Sequence, residues 1–188
     1  MSRQPRPAGG LPVWEVPRRH GPWTDPGALK FYGGPLSSFA LTPGLRLPEG
    51  WYGHPRSPRS VDVRSAEHYF QACKADDRAD FLWVLSAPTS RKAKARGGPK
   101  GEDGRRITLR PDWEEVKFSV MRTAHAWKHR LPCYRELLPA TGDRVLIEDS
   151  PSDPIWGGRG AEGGMTGENL LGVVLMEVRA ELSCADRS

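Results

Sequence analysis

Apolar positions fall into helical periodicity only after about residue 65; before that the chain is broken by Pro and Gly. Residues 1–29 hold many Pro, Gly and Arg residues, with Trp14 and Trp23 isolated among them. No sustained apolar period runs through them, which predicts a loosely docked extension. Residues 30–40 (KFYGGPLSSFA) predict a short strand followed by a Gly-Pro turn, and residues 42–58 a loop carrying Trp51 and Tyr52. RSVDVR at 59–64 alternates polar and apolar positions, the pattern of a short strand.

Ser65 then stands as a helix N-cap, with Glu67 and His68 in the first turn of a helix over 66–75. A second helix is expected over 76–86, stopped by Pro88. Thr89 or Ser90 caps a third, basic helix (RKAKAR) that ends at Gly97-Gly98. The clearest helix spans 112–129. Asp112 and Glu115 have capping-box spacing, and Trp113, Val116, Val120, Ala124 and Trp127 mark one buried stripe. A short helix at 132–138, a strand at 144–148 and a long Gly-rich loop over 149–169 follow. A closing helix over 170–182 has Leu171, Val174, Leu175, Val178 and Leu182 on its inner side. The expected class is α+β, mostly helical with a few short strands. One compact domain at 30–183 lies between the 1–29 extension and a tail at 184–188.

Composition narrows this picture in three ways. A chain of 188 residues suits one domain, and the Pro and Gly excess marks part of it as loop. The net charge of +5 favours phosphate-bearing partners, nucleotides or nucleic acid, although a solvated basic surface gives the same balance. Cys73, Cys133 and Cys184 are odd in number and form no C-x-x-C pair, so neither a disulfide framework nor a zinc knuckle is suggested. The start lacks an apolar signal core, and LLGVVLM at 170–176 is far too short to span a bilayer. A cytoplasmic protein without membrane association is the expectation.

Two segments carry candidate chemistry. In SAEHYFQACK (65–74), Glu67 and Lys74 are seven residues apart, almost two helical turns, so they share a stripe with Phe70 and Gln71 between them. A carboxylate, an amide, a ring and an ammonium make a poor core face and a reasonable ligand-facing one. An exposed helix face with a spaced ion pair is the plainer alternative, and helix dipoles alone favour a first-turn carboxylate. The second segment is the irregular stretch 149–169, preceded by Glu148, which holds Asp153, Trp156, Gly157 and Asn169 among glycines that permit close approach of backbone N–H groups to a phosphate or ribose. A mobile surface loop is its plainer alternative. The cations Arg91, Lys92, Lys94, Arg96, Lys100, Arg105, Arg106 and Arg110 suit either phosphate or solvent. His125 and His129 have metal-ligand spacing, but no third ligand stands at a telling position and no metal is expected.

These segments resemble, in order, the blocks of the NADAR family of YbiA-like N-glycosidases, from about Lys30 to Leu182. FYGGPLSSF (31–39) is similar to the opening strand and "LSNF" stretch, and SAEHYFQACK to "SEHYFQAxK". RPDWEEVKFSVM (110–121) resembles "R-x-x-W-x-x-V-K-x-x-V-M". LIEDSPSDPIWG (146–157) and GENLLGVVLMEVR (167–179) resemble the two closing blocks. The chain departs from the pattern at Ser38, where Asn is usual, at Gly158-Arg159-Gly160, in the short stretch before Gly167, and at Glu168, where Gln is frequent. The extension before Lys30 has no counterpart.

The resemblance implies a mostly helical YbiA-like domain around a polar cleft, and hydrolysis of a ribose C1–N bond without metal or other cofactor. The substrates implied are a riboflavin-pathway ribosylamino-pyrimidine phosphate or an ADP-ribosylated guanine, the latter free or within nucleic acid. Glu67 and Lys74 are then the catalytic pair. Phe39, Phe70, Gln71, Glu148, Asp153, Trp156, Gly157 and Asn169 are the substrate-binding set, and Trp113 belongs to the core. The alternative is a module that binds ADP-ribose without cleaving it, against which the carboxylate and lysine argue. A plain RNA- or DNA-binding domain fits less well, because no RRM, KH or zinc signature is present.

Overall fold

A computed structural model of the chain describes residues 27–48, 60–150, 152–161 and 164–185. The expected extension therefore lies outside the described residues except at its last three positions. β1 (Leu29–Phe31) runs parallel to β4 (Leu146–Glu148), with Leu29 opposite Leu146 and Phe31 opposite Glu148. β2 (Arg46–Pro48) pairs antiparallel with β3 (Ser60–Asp62), and β5 (Arg159–Ala161) with β6 (Gly164–Thr166). The helices are α1 (Ala66–Ala72), α2 (Arg78–Leu85), α3 (Ser90–Arg96), α4 (Trp113–Lys128) and α5 (Leu170–Ala185). The class is α+β with helix dominant, and no helix among the described residues is long and apolar enough to cross a membrane.

Local chemistry explains the helix starts. The side chains of Ser65, Asp77 and Thr89 accept from the backbone N–H groups of His68, Asp80 and Lys92 at 3.3, 2.9 and 3.2 Å. Asp112 makes no such cap, contrary to the capping-box reading. Arg110 takes its carboxylate instead, through Nε at 2.6 Å and Nη2 at 3.1 Å. A charge-assisted two-point pair outcompetes a neutral N–H for the same oxygens.

α1 lies at the centre, packed against α2, α3 and α4, and α5 packs on α4 and β4. All seven α1 residues are buried, so its polar side chains are enclosed rather than solvated. The core around it includes Tyr69, Phe81, Phe118, Leu138, Ile147 and Leu175. Each such side chain, fully buried, stabilises the fold by roughly 1.5–3 kcal/mol.

Four sequence expectations are corrected. Trp127 is 36% exposed, and the buried arc of α4 turns instead toward Met121, His125 and Lys128. Loop residues Ser37 and Ser38 cover that side of α4 with polar groups that a count of apolar positions does not register. Residues 132–138 form consecutive turns, and only Pro139–Thr141 makes a 3₁₀ helix. Pro139 has no N–H to donate to the Arg135 carbonyl, so this stretch loses an α-helical bond at its end. The loop at 42–58 contains β2, and the loop at 149–169 contains the β5–β6 hairpin. Three-residue strands are too short to show a period of two.

Candidate active site

The cleft is built on α1. Glu67, Phe70, Gln71 and Lys74 all line a cavity of about 370 Å³, as their shared stripe predicted. α3 adds Arg91 and Lys94 to its wall, and the chain after β1 adds Tyr32, Gly33, Ser37, Ser38 and Phe39. The far side is Glu148 at the end of β4, then Ser150, Ser152, Asp153 and Trp156, with Met121 of α4 and Leu171 of α5.

The carboxylate of Glu67 is buried and accepts from Gln71 Nε2 at 2.8 Å. Gln71 Oε1 is buried with no partner among the described residues. Gly97 makes room for this amide, since a Cβ there would collide with the Gln71 side chain. Burial pushes the Glu67 carboxyl above the usual carboxylate range, opposed by the Gln71 bond and by Lys94 and Lys74. Lys74 Nζ donates to Gly97 O at 3.4 Å and sits 5.4 and 5.6 Å from the ring centres of Phe70 and Trp113. Burial lowers its pKa and the Glu67 charge opposes that shift. Glu148, set beside Phe31 by the parallel strand pair, is pushed up to about 7 by burial and by the charges of Asp153 and Glu67.

Phe70 is held edge-on between Trp113 at 4.9 Å and Trp156 at 5.0 Å, so it packs the cleft wall more than it offers an open face. Trp113 is buried, as expected of a core ring. Asp153 Oδ1 accepts from the N–H groups of Ile155 and Trp156 at 3.2 and 3.0 Å, a local turn that presents Trp156 to the cleft. Phe39 is 39% exposed, with Lys94 Nζ 5.7 Å from its ring centre and 3.8 Å from Asp153.

Asn169 and Gly157 do not reach the cleft wall. Asn169 is fully buried at φ +50°. Its Oδ1 accepts from Glu148 N at 3.0 Å and its Nδ2 donates to Leu146 O at 2.9 Å, tying α5 to β4. Gly172 admits this contact, because a Cβ there would run into Leu146 O and the Asn169 amide. Gly157 lies against Ser150, where a Cβ would stand 2.5 Å from the serine Cβ. Asn169 and Gly157 thus hold Glu148 and the following turn from behind. Tyr32, Ser37, Ser150, Ser152 and Met121 lie within the family-like blocks but were not singled out individually as site residues.

The profile of the NADAR domain family matches residues 49–183. An N-glycosidase from Nostoc punctiforme is 35% identical over 135 residues, covering 67% of this chain and 81% of the relative. The N-glycosidase YbiA of Escherichia coli is 36% identical over 134 residues, covering 67% and 76%. The chloroplastic riboflavin biosynthesis protein PYRR of Zea mays is 36% identical over 124 residues, 63% of this chain but 19% of that longer protein. The NMR structure of E. coli YbiA superposes with a TM-score of 0.66 at 27% identity, covering 95% of this chain and 96% of that one. The ordered blocks, the α1-centred cleft and these matches lead to one conclusion: the chain belongs to the NADAR family.

Proposed function

We propose that this protein is an N-glycosidase that hydrolyses the ribose C1–N bond of a phosphorylated riboside. The substrate is a ribosylamino-pyrimidine phosphate of the riboflavin pathway or an ADP-ribosylated guanine. The observation that carries the reading is the meeting of Glu67, Glu148 and Lys74 in one cleft whose α3 wall brings Arg91 and Lys94. The N-glycosidase names of the Nostoc and E. coli relatives support the bond class, and the riboflavin name of the maize relative supports the first substrate.

Breaking a C1–N bond places positive charge on the ribose. The two carboxyl groups differ in environment, which separates their roles. Burial raises the Glu67 pKa, and the Gln71 amide and Lys94 oppose that rise and favour its charged form. Glu67 faces the developing sugar cation and takes the proton of the attacking water. Glu148 faces two other acids and carries its proton near neutrality. It donates that proton to the leaving nitrogen, which departs with the C1–N electron pair. Water oxygen then bonds to C1, and solvent returns the proton from Glu67 to Glu148.

Arg91 and Lys94, three residues apart on α3, receive the phosphate. Lys74 acts on the same sugar. Burial favours its neutral amine, which is the form able to attack an opened ribose aldehyde and release water as an imine. The test is a chromatographic screen of riboflavin-pathway ribosylamines, ADP-ribosylated guanosine, NAD and nucleotides. Release of free base or amine from one of the first two is expected. Tight ADP-ribose binding with no release from any of them would replace the reading by that of a non-catalytic binding module.

A further inference from the structure

The floor of the cleft is a short loop fixed from three helices at once. Ser37 O accepts from Lys128 Nζ at 2.8 Å, Ser38 O from Glu67 N at 2.9 Å, and Phe39 O from Ser90 Oγ at 2.9 Å. These donors belong to α4, α1 and α3. Beneath the loop lies a buried polar cluster of His125, Lys128 and His129. The Lys128 ammonium stands 4.8 Å from the Tyr134 ring centre, and the His125 and His129 rings stack at 5.7 Å. Enclosing these groups costs stability, and the cluster touches the cleft at one side chain, Ser38.

Ser38 Oγ lies 3.1 Å from His125 Nε2 and 3.5 Å from Met121 Sδ. The His125 tautomer follows from counting partners. His125 is buried and neutral, and its Nδ1 has no partner among the described residues. A proton on Nδ1 would make an orphaned buried donor, which is costlier than an orphaned acceptor. The proton therefore sits on Nε2 and is donated to Ser38 Oγ. Among the described residues the serine's own proton then has only the Met121 thioether, a weak acceptor. Ser38 and Met121 both line the cleft, so a substrate oxygen arriving there takes that proton in place of the sulfur. The Ser38 carbonyl bonds to Glu67 N, so the two residues are joined through their backbones and both line the same cleft.

We propose that the Ser38 hydroxyl is a sugar-binding donor on the cleft floor and that His125 is the positioning residue that aims it. The identity of the sugar rests on the N-glycosidase reading. The test separates the two by measuring binding instead of turnover, with ADP-ribose and with ADP, which lacks the terminal ribose, as calorimetric probes. Ser38→Ala should weaken ADP-ribose about tenfold, the worth of one ordinary hydrogen bond, and leave ADP unchanged. Ser38→Thr should restore binding. His125→Phe should match Ser38→Ala, and the double variant should bind no worse than either single one. A purely structural cluster would lower the melting temperature without moving the ratio of the two affinities. If His125→Phe does not fold, the Ser38 variants decide alone. The proposal is overturned if Ser38→Ala weakens both ligands equally or neither, or if the wild type binds ADP-ribose no better than ADP. Wild type that binds ADP-ribose but releases no base would sink the hydrolytic reading and leave the Ser38 measurement intact.

Discussion

Asn169 offers the sharpest test of how the site is held. Asn169→Ala would strand two backbone groups, the partly buried Glu148 N–H and the buried Leu146 C=O, which the amide now pairs at 3.0 and 2.9 Å. Each stranded group costs about 1–3 kcal/mol. Ala also resists the left-handed backbone at φ +50°, adding about 1 kcal/mol. The sum is about 3–7 kcal/mol, a large part of the roughly 5–15 kcal/mol that holds a domain of this kind together. Urea denaturation followed by circular dichroism should show that loss, and the melting temperature should fall by at least ~6 °C. Asn169→Gly should recover about 1 kcal/mol by accepting the positive φ, while still lacking both bonds. Wild-type stability in Asn169→Ala together with a raised KM would instead assign the amide to the substrate.

Three further outcomes are expected. Borohydride added during turnover should leave a sugar adduct on the wild type, seen by intact mass and absent in Lys74→Arg; no adduct together with an active Arg variant would leave Lys74 an electrostatic role, because guanidinium stays protonated. In the proposed mechanism Glu148 acts as its acid form, so kcat should fall as pH rises through about 7, and Glu148→Gln should be slow with that limb gone; an unchanged limb would place the ionisation elsewhere. His129 is held neutral by burial, its pKa lowered from 6.5 to about 4, so its contribution to stability is complete above about pH 6.5 and is lost as pH falls toward 4; melting curves between pH 4.5 and 7.5 should show this loss, worth up to ~3 kcal/mol, and His129→Gln should shrink it, leaving the part due to the buried neutral His125.

Much of α1 was legible because its information is local. Ser65 marks the start, and helical spacing alone puts Glu67, Phe70, Gln71 and Lys74 on one stripe. What spacing could not tell is that this stripe faces inward, since enclosure depends on α2, α3 and α4 arriving from elsewhere. Arg91 and Lys94 read as two cations among eight in the sequence, and only the packing of α3 on α1 selects them for the cleft. Asn169 shows the reverse case. A polar residue among glycines resembles a ligand contact, yet its amide meets backbone groups of Leu146 and Glu148, more than twenty positions earlier. Ser38 stood out as a departure from the family pattern, while its link to His125 spans 87 positions and leaves no local trace.

The proposed role of the buried Glu67 carboxylate in C1–N cleavage is decided by kcat and KM for Glu67→Gln against wild type on whichever ribosylated substrate releases base. The amide keeps the shape of the side chain and its contact with Gln71 while removing the charge that acts mainly in the transition state. A fall in kcat of about a hundredfold or more is expected, the usual range for a positioned acid–base group, with KM within a few-fold of wild type and an unchanged melting curve. A Gln variant that turns over at near-normal kcat would contradict it.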